Sequence, residues 1–243
     1  MEKKLLPLIG GLDISEDQSR KIIIGDIHGC LHTLERLLGE LGSKDGYHPP
    51  EGYKILSLGD LNNKGANSIA VLNWAMDLTA KDMLYTVDSN HGRRLARRLS
   101  SNCRPGGEVE RTYREIKKLE DLPYEDKVVD YLSSLPAYIK ASGGPWGEYY
   151  VAHAAGSPRL LEKSELSNKE RNFFLGTDSF RWSGSKLIVT GHVTVKNPTK
   201  EIHTPTNGTV IRLDTGVNLG NLLSAYLPED DKFISVKTDI RDL

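Results

Sequence analysis

The chain is poor in the features that tie a protein to a harsh compartment, a bilayer or a polyanion. It has only two cysteines in 243 residues, Cys30 and Cys103. Their separation fits neither a metal knuckle nor a disulfide framework, so reduced thiols are expected. No apolar run approaches the roughly 18–20 residues of a spanning helix. The opening stretch MEKKLLPLIGGLD holds an apolar run too short for a signal core, with no small-residue cleavage pattern after it. The protein is therefore expected to be cytoplasmic, with no membrane partner. Charges of the two signs nearly cancel, at a formal net −1, and aromatics make up only 7% of residues. Long nucleic acid usually meets a basic surface with stacking platforms, so no such partner is expected. There is no internal repeat, no low-complexity tract and no linker-like stretch that would cut the chain.

What is present is a series of short β-rich runs, at residues 21–26, 53–60, 82–90, 147–154, 186–192, 208–216, 222–227 and 232–237. Each is rich in Val, Ile, Leu or Tyr, and most stop at Gly, Asp, Asn or His. Helical patterns separate the first three. CLHTLERLLGELG puts Leu31, Leu34, Leu38 and Leu41 on one stripe. NSIAVLNWAMDL starts with Asn67 or Ser68 as a cap and carries Ile69, Leu72 and Met76. Strand–helix–strand alternation implies parallel strands and an α/β class. Residues 92–146 read as a mostly helical insertion and 1–20 as an N-terminal extension of one domain spanning 1–243. Beyond residue 147 the chain is β-rich, with short turns that suit antiparallel pairing.

The polar residues fall at the strand ends. KIIIGDIHG ends in Asp26 and His28, ILSLGD in Asp60, LYTVDSNH in Asn90 and His91, YYVAH in His153 and LIVTGH in His192. Ligands of open α/β sheets bind outside the carboxyl ends of the strands. Carboxylate and imidazole together favour Mn²⁺, with Zn²⁺, Fe or Ni²⁺ as alternatives, over Ca²⁺. Asp26 and His28, two residues apart, share a face and can chelate one ion. Asp60 can bridge to a second, which Asn90, His153 and His192 would complete. Two divalent ions of this kind hold a hydroxide between them and neutralise a phosphoryl group under in-line attack. A lone Asp-x-His pair would say little; five ordered strand ends say much more. His32, His48 and His203 lie off the strand ends and read as ordinary.

The segments GDIHG, GDLNNKG, SNH, HAAG and GH, in this order, resemble the calcineurin-like metallophosphoesterases. Within them they resemble the branch of serine/threonine phosphoprotein phosphatases, symmetrical diadenosine tetraphosphate hydrolases and the phosphatase domain of bacterial polynucleotide kinase–phosphatase. The resemblance extends over roughly residues 21–237 and includes LDTGVNLGNLLSAYLPEDDKFISV. It implies an α-β-β-α sandwich with a dimetal site at one edge of two sheets. It also implies that Asp26, His28 and Asp60 hold one ion, that Asp60, Asn90, His153 and His192 hold the other, and that His91 is the general acid. An imidazole suits that role because its ordinary pKa is near neutrality.

The chain departs from the pattern in places. Where the family reads G-D-x-V-D-R-G, this chain has GDLNNKG, so Lys64 replaces the phosphate-clamping arginine and Asn63 the aspartate that supports the catalytic histidine. Lysine is a point charge without a bidentate fork. G-N-H-E becomes SNHG, with Ser89 and Gly92. Arg181, in FRWSG, is a candidate second phosphate clamp. Arg93, Arg94, Arg97 and Arg98 follow the Asn–His pair on a predicted helix; Arg93 and Arg94 lie nearest the site and are candidate substrate contacts, while Arg97 and Arg98 read as a solvated face. Taken together, these residues predict a dimetal phosphatase acting on a phosphoprotein, nucleotide or dinucleotide, with a broad phosphomonoesterase of the phosphoprotein type placed first. Diadenosine tetraphosphate hydrolysis or removal of nucleotide and RNA end phosphates comes second. A phosphate-binding module without turnover is the alternative of another class.

Overall fold

The computed structural model describes residues 10–101, 107–154, 160–161, 163, 166–176, 186–203 and 208–243. One sheet is built on three parallel strands, β2 (Arg20–Ile24), β3 (Tyr53–Ser57) and β4 (Leu84–Thr86). Helices α1 (Leu31–Glu40) and α2 (Ser68–Ala80) make the two crossovers. Strand β10 (Leu222–Leu227) pairs antiparallel with β2, and β11 (Lys232–Lys237) antiparallel with β10, giving the order β11-β10-β2-β3-β4.

The second sheet holds β1 (Gly11–Asp13), β5 (Tyr138–Ser142), β6 (Glu148–Ala152), β7 (Leu187–Thr190), β8 (Thr199–His203) and β9 (Gly208–Arg212), in the order β1-β5-β6-β7-β9-β8. The short turns of the β-rich second half suited antiparallel pairing. Instead β6, β7 and β9 run parallel, because long connections carry the chain back to the starting edge each time. The antiparallel pairs between sequence neighbours are β5 with β6, β8 with β9, and β10 with β11.

The two sheets face one another across an apolar layer. Ile23, Leu56 and Val87 meet Ile139, Val151, Val189 and Ile211 there. Ile22 and Ile24, alternate neighbours of Ile23, point to the opposite face and pack on Leu34, Leu37, Val71 and Ala75 of α1 and α2. Each such side chain, fully withdrawn from water, contributes roughly 1.5–3 kcal/mol. The insertion extends the same helical layer. Helices α3 (Asn90–Ser100), α4 (Val109–Lys117) and α5 (Leu122–Ser134) join it through Leu95, Ile116, Val128 and Leu132. On the far side α6 (Asn168–Leu175) lays Phe174 against Ala152, Ile188 and Val210. The result is the helix–sheet–sheet–helix sandwich.

One long-range contact fastens the start of α1. Its cap residue, Cys30, offers no side-chain hydrogen bond. Asp242 supplies it instead, accepting from the backbone nitrogens of His32 (3.1 Å) and Thr33 (2.7 Å) and from the Thr33 hydroxyl (2.6 Å). The same residue's backbone carbonyl accepts from Ala66 N at 3.0 Å, just past Lys64.

Candidate active site

Because β2, β3 and β4 are parallel, their carboxyl ends lie side by side, and those of β6 and β7 face them from the other sheet. The loops there bring Asp26, His28, Asp60, Asn90, His91 and His153 together; all but Asn90 are buried. Asp60 is the hub. Its Oδ2 lies 3.5 Å from His28 Nε2, 3.6 Å from His153 Nε2 and 3.9 Å from His91 Nε2. Two overlapping groups, His28–Asp60–His91 and Asp26–Asp60–His153, each place one ligand atom per residue within 4.8 Å of the others. The His192 ring stands 5.1 Å from that of His153, and its backbone nitrogen donates to Asp26 Oδ2 at 3.0 Å.

The hydrogen bonds settle which ring nitrogens face inward. His153 Nδ1 is 2.8 Å from the Leu58 carbonyl, which can only accept, so Nδ1 donates and, in the neutral tautomer, Nε2 turns a lone pair inward. That nitrogen faces Asn90 Oδ1 at 3.0 Å and Asp60 Oδ2 beyond it. Acceptors converge with no donor among them. His28 Nδ1 likewise donates to Asn62 O at 3.3 Å, turning Nε2 inward. Asp26 Oδ1 is buried without a partner. Burial first, then the nearby charges of Asp214 and Asp60, push the Asp26 carboxyl well above its ordinary range. At Asp60 burial acts in the same direction, but His153, His28 and His91 outweigh it and hold the carboxyl well below. Converging lone pairs and an unpartnered buried carboxylate oxygen fit divalent cations, and backbone carbonyls orient the histidines as they do at metal sites.

The backbone is strained at the same places. His28 (φ 48°), Asp60 (40°), Asn63 (71°), Lys64 (69°) and His192 (63°) all take left-handed conformations. Such strain collects where a structure must aim side chains against backbone preference. Gly191 shows how tight the aim is: a Cβ there would lie 1.9 Å from Asp26 Oδ1.

His91 stands at the rim of the cluster, with Asn63 Nδ2 2.9 Å from its Nδ1. With the amide nitrogen facing the ring, Nδ1 accepts, and the proton of the neutral imidazole sits on Nε2, the nitrogen turned toward Asp60. Burial pushes the ring down to about 4, opposed by Asp60 and reinforced by His28 and Lys64. Asn63 thus aligns a neutral N–H donor without adding charge. Lys64 is exposed, with its ammonium 3.2 Å from His28 Nε2, over the mouth of the cluster. Arg93 is held back by Asp88, at 2.8 Å. Arg94 and Arg97 are exposed and line a cavity of about 190 Å³ with Asn90, Arg93, Asn172, Leu175 and Gly176. Arg98 turns away to stack on Tyr113, 3.7 Å from its ring centre. Arg181 lies outside the described residues.

The calcineurin-like phosphoesterase family model matches residues 19–218. The chain belongs to this family. It is similar to the asymmetrical bis(5′-nucleosyl)-tetraphosphatase PrpE of Oceanobacillus iheyensis, at 29% identity over 88% of this chain and 90% of that one. The corresponding protein of a Geobacillus species is 28% identical, over 90% and 94%. A solved structure provisionally described as a diadenosine tetraphosphatase superposes with a TM-score of 0.62 at 26% identity, covering 96% of this chain and 99% of its own. This calcineurin-like chain is accordingly a phosphoric ester hydrolase, and the family implies a dimetal centre.

Two contributors, Asp214 and Glu108, escaped the sequence reading of this metallophosphoesterase, as did the role of a third, Ser89. Asp214, buried after β9, holds Thr194 Oγ1 (2.8 Å) and Gly216 N (3.0 Å) and adds negative charge beside Asp26. Its stretch, VIRLDTG, ends in an acid like the other strand ends, and that signal could have found it. Glu108, at the start of α4, comes within 3.3 Å of His91 Nε2; nothing local in the sequence marks it. Ser89 caps α3, accepting from Gly92 N at 3.2 Å, so the two departures SNHG makes from the family pattern form a single cap.

Proposed function

We propose that this phosphoesterase hydrolyses dinucleoside polyphosphates and cuts diadenosine tetraphosphate off-centre, into AMP and ATP. The observation that carries the proposal is the end-to-end likeness to relatives named as asymmetrical tetraphosphatases, 88–90% of this chain against 90–94% of theirs. That likeness supports the dinucleotide reading of the motifs above the phosphoprotein reading. The resemblance of the motifs pointed to symmetrical hydrolases; the relatives' names favour the asymmetrical cut.

In this reading Asp26, His28 and Asp60 hold one ion and Asp60, Asn90, His153 and His192 the other. Mn²⁺ is the best match to the mixed carboxylate, amide and imidazole set. When bound, the ions supply Lewis acidity and a nucleophile at neutral pH. The chain's own residues do the rest. Water adds to the phosphorus next to one adenosine, the P–O bond to the remaining chain breaks, and the Nε2–H of His91 faces the departing oxygen. Asn63 keeps that proton on the inward nitrogen. Lys64 offsets charge at the mouth, as a point charge where relatives of this pattern carry a planar fork.

The test is product analysis with the Mn²⁺-loaded protein on diadenosine tetraphosphate, beside an aryl phosphate and a phosphopeptide. AMP and ATP in equal amounts, with a clear preference over the phosphopeptide, are expected. ADP as sole product would overturn the asymmetrical cut, and turnover of the phosphopeptide alone would return the phosphoprotein reading.

A further inference from the structure

The cavity lined by Arg93, Arg94 and Arg97 opens directly beside the candidate metal centre, because Asn90 borders both. Its opposite wall is Asn172, Leu175 and Gly176, from α6 and the residue after it, on the other side of the sandwich. Among the described residues that line it, none is acidic. Asp88 neutralises Arg93 from behind, whereas no ion pair among the described residues engages Arg94 or Arg97. At about 190 Å³ the cavity is smaller than the roughly 300 Å³ at which pockets for drug-sized molecules begin. Three arginines and two amides, Asn90 and Asn172, line it beside Leu175 and Gly176. Two guanidiniums with no ion pair among the described residues, and five N–H donors each, suit phosphate oxygens far better than a nucleobase.

We propose that Arg94 and Arg97, with Asn172, form a second anion subsite that takes the phosphates beyond the one being cleaved. The inference rests on the dinucleoside polyphosphate reading for its natural ligand, but its chemistry is that of any linear polyphosphate seated with one end at the metal centre. The subsite gives the off-centre cut a physical origin. A chain with its distal phosphates held by Arg94 and Arg97 presents the phosphorus nearest the far nucleoside to His91. Arg97, set aside in the sequence as part of a solvated face, becomes a specificity determinant, and Arg93 becomes the strut that Asp88 locks in place.

The test uses calorimetric titration of the full-length, metal-free protein with inorganic tripolyphosphate and with orthophosphate. In the Arg94→Ala/Arg97→Ala double variant, tripolyphosphate affinity should fall at least tenfold further than orthophosphate affinity. Arg114→Ala, which removes an exposed arginine paired with Glu110 on α4, serves as the charge control and should change neither. Arg97→Lys should recover part of the loss. Equal losses for the two anions, or a loss matched by the control, would overturn the subsite. A parallel assay of the Mn²⁺-loaded protein on diadenosine tetraphosphate separates the two proposals. No turnover with tripolyphosphate discrimination intact removes the substrate reading and keeps the subsite. Turnover by the double variant with unchanged KM and unchanged product ratio removes the subsite and keeps the substrate reading.

Discussion

At the N-terminal ends of β2 and β3, Asp17 lies between Lys21 and Lys54, with Oδ1 3.0 Å from the first ammonium and Oδ2 2.8 Å from the second. At the C-terminal ends of the same strands, Asp26 and Asp60 lie together, and among the described residues no cation pairs with Asp26. Both ends of the sheet withdraw charge from water. At the first, the counter-charges belong to the chain: Lys21, fully buried, also reaches Asp17 O (3.1 Å), Ser19 Oγ (2.9 Å) and Ser19 O. Burial pushes Asp17 up, but hydrogen bonds from Lys54, Ser19 and Lys21 outweigh it and hold the carboxyl well below its usual range. At the second end, burial and like charge push Asp26 the other way. One sheet therefore carries a closed electrostatic account at one edge and an open one at the other, and the open edge is where chemistry can enter.

The sharpest way to break this contrast is to strip the open end. Asp60→Ala and His153→Ala should each lower Mn²⁺-dependent turnover of an aryl phosphate about a thousandfold or more, the equivalent of roughly 4 kcal/mol of barrier. Kinetics of the purified variants decide it; near-normal rates in both would sink the metal assignment. Next is the closed end. Asp17→Asn leaves the Lys21 ammonium buried without its carboxylate and should cost about 3 kcal/mol in denaturant unfolding, while kcat/KM at pH 7 stays put.

The wild-type pH profile follows from the same residue. A carboxyl depressed in the folded state stabilises fully above its unfolded value near 3.9, and that contribution is lost as pH falls below about 4. Unfolding midpoints between pH 2 and 6 should show this slope in the wild type and a shallower one in Asp17→Asn. His91→Ala should cost about a hundredfold, with a larger loss on substrates whose poor leaving oxygen depends on the Nε2–H hydrogen bond than on an activated aryl ester. An equal loss on both would make His91 a structural residue. The smallest effect sharpens the contrast instead of breaking it. Asp26→Asn should raise the melting temperature of metal-free protein by about 2–4 °C, corresponding to roughly 1 kcal/mol in a domain of this size. It should also abolish the further rise that Mn²⁺ produces in the wild type.

Much of the site could be read before the fold because its residues end strands. A β-rich run that stops at Asp, Asn or His announces both an element and the polar group it delivers, so Asp26, Asp60 and His153 needed no long-range information. Asp214 obeys the same grammar, at the end of the run over 208–216. The parts that could not be read depend on contacts between distant segments. β1 has three residues, too few for an alternating pattern, and exists by pairing with β5. Glu108 reaches His91 through the docking of α4 onto α3, which no local spacing encodes. In sequence the arginines of α3 divide only by position, Arg93 and Arg94 nearest the site and Arg97 and Arg98 a turn further on. Asp88, Tyr113 and α6 divide them into a strut, a stacked side chain and an open pair.

The clasp made by Asp242 has a consequence for the order of events during synthesis. Helix α1 follows directly on the loop that carries Asp26 and His28, and the residue that caps it arrives 209 positions after Thr33. At about 5–20 residues per second, a ribosome needs roughly 10–40 s to cover that distance. Through that interval the front of the helix, and the Ala66 segment beside Lys64, are held by local contacts alone. The turn around Asp242 thus closes the first loop of the site, so the nascent chain completes its catalytic edge only after residue 242 has been made.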